Sequence, residues 1–397
     1  MVNQVFSAVI LAALTACSSN AAAPTPPSTS TPDAASNALR QDLIHYLTAR
    51  GSIEHISAAS LSVSLPDGRW IDLAAGTTSY RGSVAATPRD LFQIASNTKA
   101  FTAIVALKLA AAGKLNLDQT IGTWLPQYPQ WKGVTIRRLL NMTSGIASFD
   151  ASIAWQKAVA ADPHHKFTPA QLIGYVENVP LQKGFLYSAT NYTLTQLIVE
   201  KASARSYEDL VRQLIDAAAL HNAYYYPDIY PKALRDRTVA GYFYNHDEGV
   251  RTLAPLLGKS VRDFSLSWAG AGGGIVADPH SLVKWTRAMY QGTLITSLQR
   301  EELESIVSTK TGKPIARTGP HDPSGFGLGL GQFYSPQYGA FWAYEGQTLG
   351  YRVQHVFFPT KNLIFAIGLN SCPDGAQDHI SALVATIYQT LKTYNLI

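Results

Sequence analysis

Residues 92–99 read Phe-Gln-Ile-Ala-Ser-Asn-Thr-Lys and are the most informative part of this 397-residue chain. They join a strand-like apolar run to a second apolar run, at residues 101–109, that has helical spacing. Residues three apart share one face of a helix, so Lys99 is expected beside the Ser96 hydroxyl. A desolvated lysine can take the proton of a serine and make that serine nucleophilic. The stretch therefore predicts an activated serine at the start of a helix.

The same spacing also occurs without any chemistry, because about one Ser-x-x-Lys is expected by chance in a chain of this length. A second copy lies at residues 281–284, directly after Asp278-Pro279. Its apolar residues continue as an ordinary amphipathic helix with an aspartate at the N-cap. We interpret the second copy as part of a capped helix. The tetrapeptide alone therefore does not identify an active serine, and the residues around each copy must distinguish them.

The composition, with 46% hydrophobic and 15% charged residues, is that of a folded protein with a sizeable core. The formal net charge is +5, but the lysines and arginines are scattered and form no basic run. Nucleic-acid binding is therefore not predicted. The sequence contains neither His-Glu-x-x-His nor Cys-x-x-Cys, so no metal site is predicted either.

The first residues resemble a bacterial lipoprotein signal. Residues 5–16 are apolar, too few to span a membrane as a mature helix, and end in Leu-Thr-Ala before Cys17. We expect a signal peptide at 1–16, lipidation of Cys17, attachment to a membrane through that lipid, and a periplasmic or cell-envelope location. No Lys or Arg precedes the apolar segment, so plain secretion is the alternative. Residues 17–38, rich in Ala, Pro, Ser and Thr, are predicted to form a flexible tether.

The remaining chain, 39–397, is predicted to be one domain of the α/β (α+β) class. Strand-like runs lie near both of its ends, and a mostly helical block separates them. This order favours an antiparallel sheet flanked by helices, with an inserted, mostly helical lobe and a cleft where the lobes meet. We place the sheet lobe at about 39–114 and 300–397 and the helical lobe at about 115–299.

A serine activated by a lysine also needs a group that passes the proton to the leaving group. Tyr187 opens the segment Tyr-Ser-Ala-Thr-Asn-Tyr, just before a predicted helix, and is a candidate for that group. With twenty tyrosines in the chain, Tyr187 taken alone is a weak candidate.

Further segments follow the serine in a characteristic order. They are 115–118 with 124–126, 135–140 with 143–145, 187–189, 272–274 before Asp278, 326–329, and 344–346 with 350–351. Together with 92–99 they resemble the penicillin-recognising serine hydrolases, which comprise class C β-lactamases and their D-Ala-D-Ala carboxypeptidase and esterase relatives. The ordered set spans about residues 40–397. A literal Lys-Thr-Gly at 310–312 precedes the 326–329 segment and is rejected on that ground.

The resemblance implies a β-lactamase/DD-peptidase-like fold for the catalytic domain and gives each site residue a role. Ser96 would be the acylated nucleophile and Lys99 its proton acceptor. Tyr187 would carry protons to the leaving group and later activate water. The backbone N–H groups of Ser96 and Gln347 would form the oxyanion hole. The family pattern implies neither a metal nor an organic cofactor.

Two departures from the family pattern concern substrate binding. Ala189 replaces an asparagine, and Asn191 is the candidate to replace its polar contact. Tyr344 replaces a Lys or His on the strand that lines the cleft. Glu345 beside it adds a carboxylate that points either into the site or away from it, and the sequence leaves both directions open. Tyr344, Glu345 and Gly346 are the predicted substrate-binding residues of that strand. Without the cation, recognition of a substrate's terminal carboxylate is expected to be weak.

The sequence therefore predicts a serine hydrolase that forms an acyl-enzyme, first of all a D-Ala-D-Ala carboxypeptidase-like peptidase. A carboxylesterase or a weak β-lactamase on the same fold is the alternative. The rival from another class is a penicillin-binding or sensory protein that becomes acylated without turning the ligand over, or that does not react with it. Under these readings the expected ligands of this chain are small peptides, esters or β-lactams, with peptidoglycan as a source of the peptides.

Overall fold

The computed structural model describes residues 32–397. The predicted signal peptide, Cys17 and most of the predicted tether lie outside the described residues. The first helix already begins at Pro32, so residues 32–38 are helical and do not belong to a flexible tether. Among residues 32–397 there is no helix with the length and apolar character needed to cross a membrane.

The described chain is a mixture of helices and mostly short strands. The helices are α1 (Pro32–Glu54), α2 (Thr98–Ala111), α3 (Ile121–Trp124), α4 (Ile136–Leu140), α5 (Ile153–Ala161), α6 (Pro169–Gly174), α7 (Ala189–Ser203), α8 (Tyr207–Ala217), α9 (Lys232–Arg235), α10 (Gly270–Gly273), α11 (Pro279–Tyr290), α12 (Ser297–Leu303) and α13 (Ile380–Thr393). The strands are β1 (Ala58–Ser64), β2 (Trp70–Gly76), β3 (Phe92–Gln93), β4 (Ala223–Tyr225), β5 (Tyr242–Tyr244), β6 (Ile275–Ala277), β7 (Ile306–Ser308), β8 (Pro314–Ile315), β9 (Ser324–Phe326), β10 (Gly331–Ser335), β11 (Gly339–Gln347), β12 (Arg352–Phe358), β13 (Leu363–Leu369) and β14 (Ser371–Pro373).

Nine strands form one antiparallel sheet in the order β2-β1-β13-β12-β11-β10-β9-β7-β8. Every residue of β1, β12 and β13 is buried, because helices cover both faces of the sheet at its centre. The chain turns from β12 to β13 through Pro359–Lys361 and Asn362, which adopts a left-handed conformation with φ 47°. The predicted antiparallel sheet flanked by helices is confirmed.

The structure places two helices outside the lobe to which the predicted boundaries assign them. Helix α11 falls inside the range predicted for the helical lobe, yet it packs against β1, β12 and β13 of the sheet. Helix α2 falls inside the range predicted for the sheet lobe, yet it packs against α7, α8 and α12. Helices α1 and α13 pack on each other, and apolar residues of both share one core with the sheet. Tertiary packing, which sequence order does not reveal, decides these assignments.

Candidate active site

The predicted nucleophile lies in a tight turn between β3 and α2. Ala95 has φ 49°, a left-handed conformation that costs a non-glycine residue about 1–3 kcal/mol. The turn continues as a single 3-10 turn, Ala95–Asn97, which leads directly into α2. Ser96 keeps part of its surface exposed, while Ala95 and Asn97 on either side are each 1% exposed. The backbone therefore presents the serine hydroxyl at the surface of an otherwise buried segment.

Asn97 ties this turn to the central sheet. Its side-chain amide donates to the carbonyl oxygens of Ile94, at 2.8 Å, and of Val353 in β12, at 2.9 Å. The Asn97 Oδ1 atom lies 2.7 Å from Nδ1 of His355, also in β12. Burial lowers the pKa of His355 to about 3, so its imidazole is neutral and donates that hydrogen bond from Nδ1. Sequence reasoning missed this support, because 258 residues separate the two side chains.

Lys99 reaches the serine as its spacing predicts. Lys99 is 2% exposed, and its Nζ atom donates to the carbonyl oxygen of Gly272 at 2.8 Å and lies within hydrogen-bond distance of Ser96 Oγ, at 3.0 Å. The rings of Tyr187 and Tyr192 lie 4.9 and 5.4 Å from Nζ. The carbonyl of Gly272 thus supplies a polar partner that sequence reasoning did not assign. The only signal for it was the glycine triplet at 272–274.

The phenol of Tyr187 lies on the other side of the nucleophile. It donates to Ser96 Oγ at 2.8 Å and lies 3.0 Å from the hydroxyl of Tyr344 in β11. Burial, and then the neighbouring phenol of Tyr187, raise the pKa of Tyr344 well above its usual value, so this hydroxyl stays neutral. Ser96 Oγ is therefore in hydrogen-bond contact with two groups that can exchange protons with it.

Gly346 is required by the close approach of β11 to the nucleophile turn. A Cβ atom at this position would lie 2.2 Å from the carbonyl oxygen of Ile94 and 2.9 Å from the backbone nitrogen of Ser96. The backbone of β11 therefore runs directly beside the Ser96 amide, and Gln347 follows at the end of the strand. This is where the predicted oxyanion hole, built from the Ser96 and Gln347 amides, would lie.

Replacing Gly346 by alanine is expected to push β11 away from the turn. Loss of one oxyanion-hole donor typically lowers kcat by about 10²- to 10³-fold, and we expect a decrease of that size. The measurement is steady-state hydrolysis of a p-nitrophenyl ester. The matched control is Gly174→Ala, because a Cβ at Gly174 would meet nothing within 4 Å. Wild-type kcat in Gly346→Ala would show that the close approach has no role in catalysis.

Glu345 does not face the cleft, which corrects its predicted contact with substrate. Successive residues of a strand point to opposite faces, so Glu345 lies on the face opposite Tyr344. There its carboxyl hydrogen-bonds to Asp378, which in turn is paired with the buried Arg352. Burial and then the charge of Asp378 raise the pKa of Glu345 well above its usual range. Glu345 therefore holds its proton and adds no negative charge to the cleft.

Asn191 does not take the place of an asparagine side chain at position 189, and this prediction is also corrected. Asn191 is fully buried in α7, where its Oδ1 accepts a hydrogen bond from the Ser144 hydroxyl at 2.7 Å. Its side-chain amide lies 3.5 Å from the sulfur of Met142. Two residues along a helix are about 200° apart around its axis, so Ala189 and Asn191 face different directions.

The second Ser-x-x-Lys is confirmed as part of a capped helix. The Asp278 carboxylate accepts a hydrogen bond at 2.7 Å from the backbone N–H of Ser281, at the start of α11. Lys284 donates to the carbonyl oxygen of Ala219 at 2.8 Å, away from Ser281.

No group of three or more His, Cys, Asp or Glu side chains able to hold a metal ion occurs in the part of the chain that the structure describes.

The chain is similar in sequence to several known proteins. Penicillin-binding protein 4* of Bacillus subtilis (strain 168) is 29% identical over 289 residues, which cover 69% of this chain and 60% of that protein. Protein flp of Staphylococcus aureus (strain MW2) is 32% identical over 164 residues, or 40% of this chain and 32% of that protein. The chain thus spans less than two thirds of the length of either relative.

Two solved structures share the fold. A D-stereospecific amidohydrolase from Streptomyces sp. has a TM-score of 0.73 at 22% identity, covering 89% of this chain and 98% of that one. A D-amino acid amidase from Ochrobactrum anthropi SV3 also has a TM-score of 0.73 at 22% identity, covering 91% and 99%. The β-lactamase family model matches residues 43–386. Because that match extends over most of the chain, the resemblance seen in the sequence is confirmed, and this protein belongs to the β-lactamase family of serine hydrolases.

Proposed function

We propose that this protein hydrolyses amide and ester bonds of small acyl donors through an acyl-enzyme at Ser96. The observation that carries the proposal is the contact of Ser96 Oγ with both Lys99 Nζ and Tyr187 Oη. In the first step, Ser96 Oγ bonds to the carbonyl carbon while Lys99, acting as the neutral amine, takes the serine proton. The leaving amine or alcohol then departs with a proton delivered through Tyr187. In the second step, water passes a proton to these groups as its oxygen attacks the acyl carbon. The bond to Ser96 Oγ then breaks, the acid leaves, and the proton held by these groups goes to Ser96 Oγ and restores the serine.

The surroundings of Tyr344 favour substrates without a terminal carboxylate. The phenols of Tyr187 and Tyr192 act on the phenol of Tyr344, and the ring of Phe326 lies 5.7 Å from the ring of Tyr344. These neighbours are largely apolar, and Tyr344 itself is a neutral residue where the family pattern has a Lys or His. We therefore place amide and ester hydrolysis first.

D-Ala-D-Ala carboxypeptidase activity on peptidoglycan peptides is the second candidate. Similarity to Penicillin-binding protein 4* supports it, although this chain covers only 60% of that protein. The names of the two fold neighbours, an amidohydrolase and an amidase, support amide substrates instead. Neither activity nor the identity of the leaving group follows from fold alone.

A matched pair of peptides tests the order of these candidates. We expect L-Lys-D-Ala-D-Ala to be cleaved no faster than the same peptide with a C-terminal amide, and both more slowly than a p-nitrophenyl ester. A hydrogen bond to a charged group is worth about 1.5–3 kcal/mol, so a site that reads the carboxylate would prefer the acid by roughly 10- to 100-fold. Release of D-Ala from the acid at such an advantage would establish the carboxypeptidase instead.

Covalent probes that react with serine hydrolases distinguish the binding or sensory alternative from an enzyme. Fluorescent penicillin and a fluorophosphonate probe should both label the protein, and Ser96→Ala should abolish labelling by either. Penicillin label that persists, without hydrolysis of any ester or amide, would indicate a protein that acylates and does not turn over. No labelling would leave binding as the remaining activity.

A further inference from the structure

The hydroxyl of Tyr344 meets the hydroxyl of Tyr187, and the hydrogen bonds around the nucleophile give this contact a direction. A phenol has one O–H, and Tyr187 donates its own to Ser96 Oγ at 2.8 Å. The hydrogen bond of 3.0 Å between the two phenols therefore uses the proton of Tyr344. Tyr344 Oη is the donor in this bond, and Tyr187 Oη is the acceptor.

The surrounding packing holds the two phenols in place. Tyr344 is buried in β11, and the ring of Phe326 lies 5.7 Å from its ring. The same Phe326 ring meets the ring of Tyr187 edge-on, at 6.2 Å and 89°. Met142 holds the main chain on both sides of Tyr187: its carbonyl oxygen accepts from the preceding residue's N–H at 2.8 Å, and its sulfur from the following residue's at 3.3 Å. The contact between the phenols is therefore preorganised.

This contact becomes stronger during the reaction proposed above. When the bond to the leaving group breaks, its electron pair stays on the leaving nitrogen or oxygen, which takes the proton of Tyr187. The O–H electron pair stays on Tyr187 Oη until the proton that Lys99 took from the serine replaces the lost one. In that interval the Tyr344 hydroxyl faces a phenolate. Hydrogen bonds to ionised acceptors are stronger than those to neutral ones, so the gain falls in the transition state, where it raises the rate.

We propose that Tyr344 is a positioning residue that acts through Tyr187, stabilising the phenolate formed as the leaving group is protonated, and thereby lets the protein expel poor leaving groups. The inference rests on the proposed function, because it concerns the proton that Tyr187 delivers there. Burial raises the pKa of Tyr344 well above its usual value, so Tyr344 keeps the proton that it donates. A neutral donor thus stands where the family pattern has a Lys or His.

Two esters of one acid separate this role from a structural one. p-Nitrophenyl butyrate expels a stable anion that needs no proton, whereas ethyl butyrate expels its alcohol only with a proton. Both esters need Lys99 to take the proton of Ser96, so a displaced nucleophile would slow both alike. In Tyr344→Phe, which keeps the ring, we expect kcat/KM for the ethyl ester relative to the p-nitrophenyl ester to fall by roughly 10- to 100-fold, the range for a hydrogen bond to a charged group.

The ethyl ester is followed by titration of the released acid and the p-nitrophenyl ester by absorbance. The control is Tyr338→Phe, which removes a phenolic hydroxyl from the core that the sheet shares with α1 and α13, and it should leave the ratio unchanged. An unchanged ratio in Tyr344→Phe, which includes an equal loss on both esters, would overturn the inference. So would a wild-type protein that does not hydrolyse ethyl butyrate, a result that no folding defect of a variant can affect. The proposed function fails separately, if Ser96→Ala still hydrolyses p-nitrophenyl butyrate at the wild-type rate.

Discussion

Ser96→Ala is expected to lower kcat/KM for p-nitrophenyl esters by about 10⁴- to 10⁶-fold, the size of effect seen when a serine hydrolase loses its nucleophile. The reason is structural: Ser96 Oγ is the atom that both Lys99 Nζ and Tyr187 Oη contact. Removing it leaves no bond to form with the acyl carbon. Reaction with a fluorophosphonate, followed by mass measurement of the intact protein, should show one adduct on the wild type and none on the variant.

The chain provides its own control for this experiment. Ser281→Ala alters the other Ser-x-x-Lys, and the N-cap bond from the Ser281 backbone N–H to Asp278 remains in the variant. Activity and labelling should stay within about twofold of wild type, as for other substitutions away from a site. If Ser281→Ala were inactive and Ser96→Ala active, the assignment of the nucleophile would be reversed.

Lys99→Met should lower kcat/KM by about 10³- to 10⁵-fold, because the serine then loses the group that takes its proton. Methionine keeps the length and the apolar contacts of the buried stem, so the change removes chiefly the amine. Lys99→Arg separates charge from basicity, since a guanidinium stays protonated in proteins. We expect the arginine variant to be as inactive as the methionine variant in steady-state hydrolysis of p-nitrophenyl esters.

A lysine that serves only as a fixed positive charge would give a different result. Lys99→Arg would then retain most of the activity, and the assignment of Lys99 as proton acceptor would fail. The control is Lys284→Met, which removes a lysine whose ammonium group donates to the Ala219 carbonyl oxygen outside the site. Its activity should match that of the wild type. Near-ultraviolet circular dichroism of each variant checks that the fold is intact.

The predicted nucleophile could be identified from the sequence because the residues that contact it include a close neighbour in the chain. Ser96 and Lys99 lie one helical turn apart, so their contact needs little from the rest of the fold. Tyr187 lies 91 residues away and was assigned through the family resemblance rather than from spacing. The structure brings the three together, and their catalytic roles stay predictions until the variants are measured. The lipid anchor at Cys17 likewise stays a prediction.

The observed directions of Glu345, which the sequence analysis left open, and of Asn191 follow rules that were available from the sequence. Tyr344 and Glu345 are neighbours in a strand, so only one of them faces the cleft. Ala189 and Asn191 lie about 200° apart on α7, so one cannot take the other's place. In both cases the periodicity of the element, applied residue by residue, would have given the observed direction.

Other parts of the site depend on contacts that no local pattern shows. The carbonyl of Gly272 meets Lys99 across 173 residues, and His355 meets Asn97 across 258. A backbone carbonyl has no side-chain signature, and a lone histidine on a buried strand is usually a core residue.

The link from Asn97 to β12 has a consequence for biosynthesis. The ribosome makes the serine turn more than 250 residues before it makes Val353 and His355, to which that turn is fastened. A nascent chain that already carries Ser96 therefore lacks the strand to which the Ser96 turn is attached. We expect reactivity at Ser96 to arise late, once β12 has been translated and has entered the sheet. Polypeptides that terminate before β12 should therefore be inert towards acylating reagents.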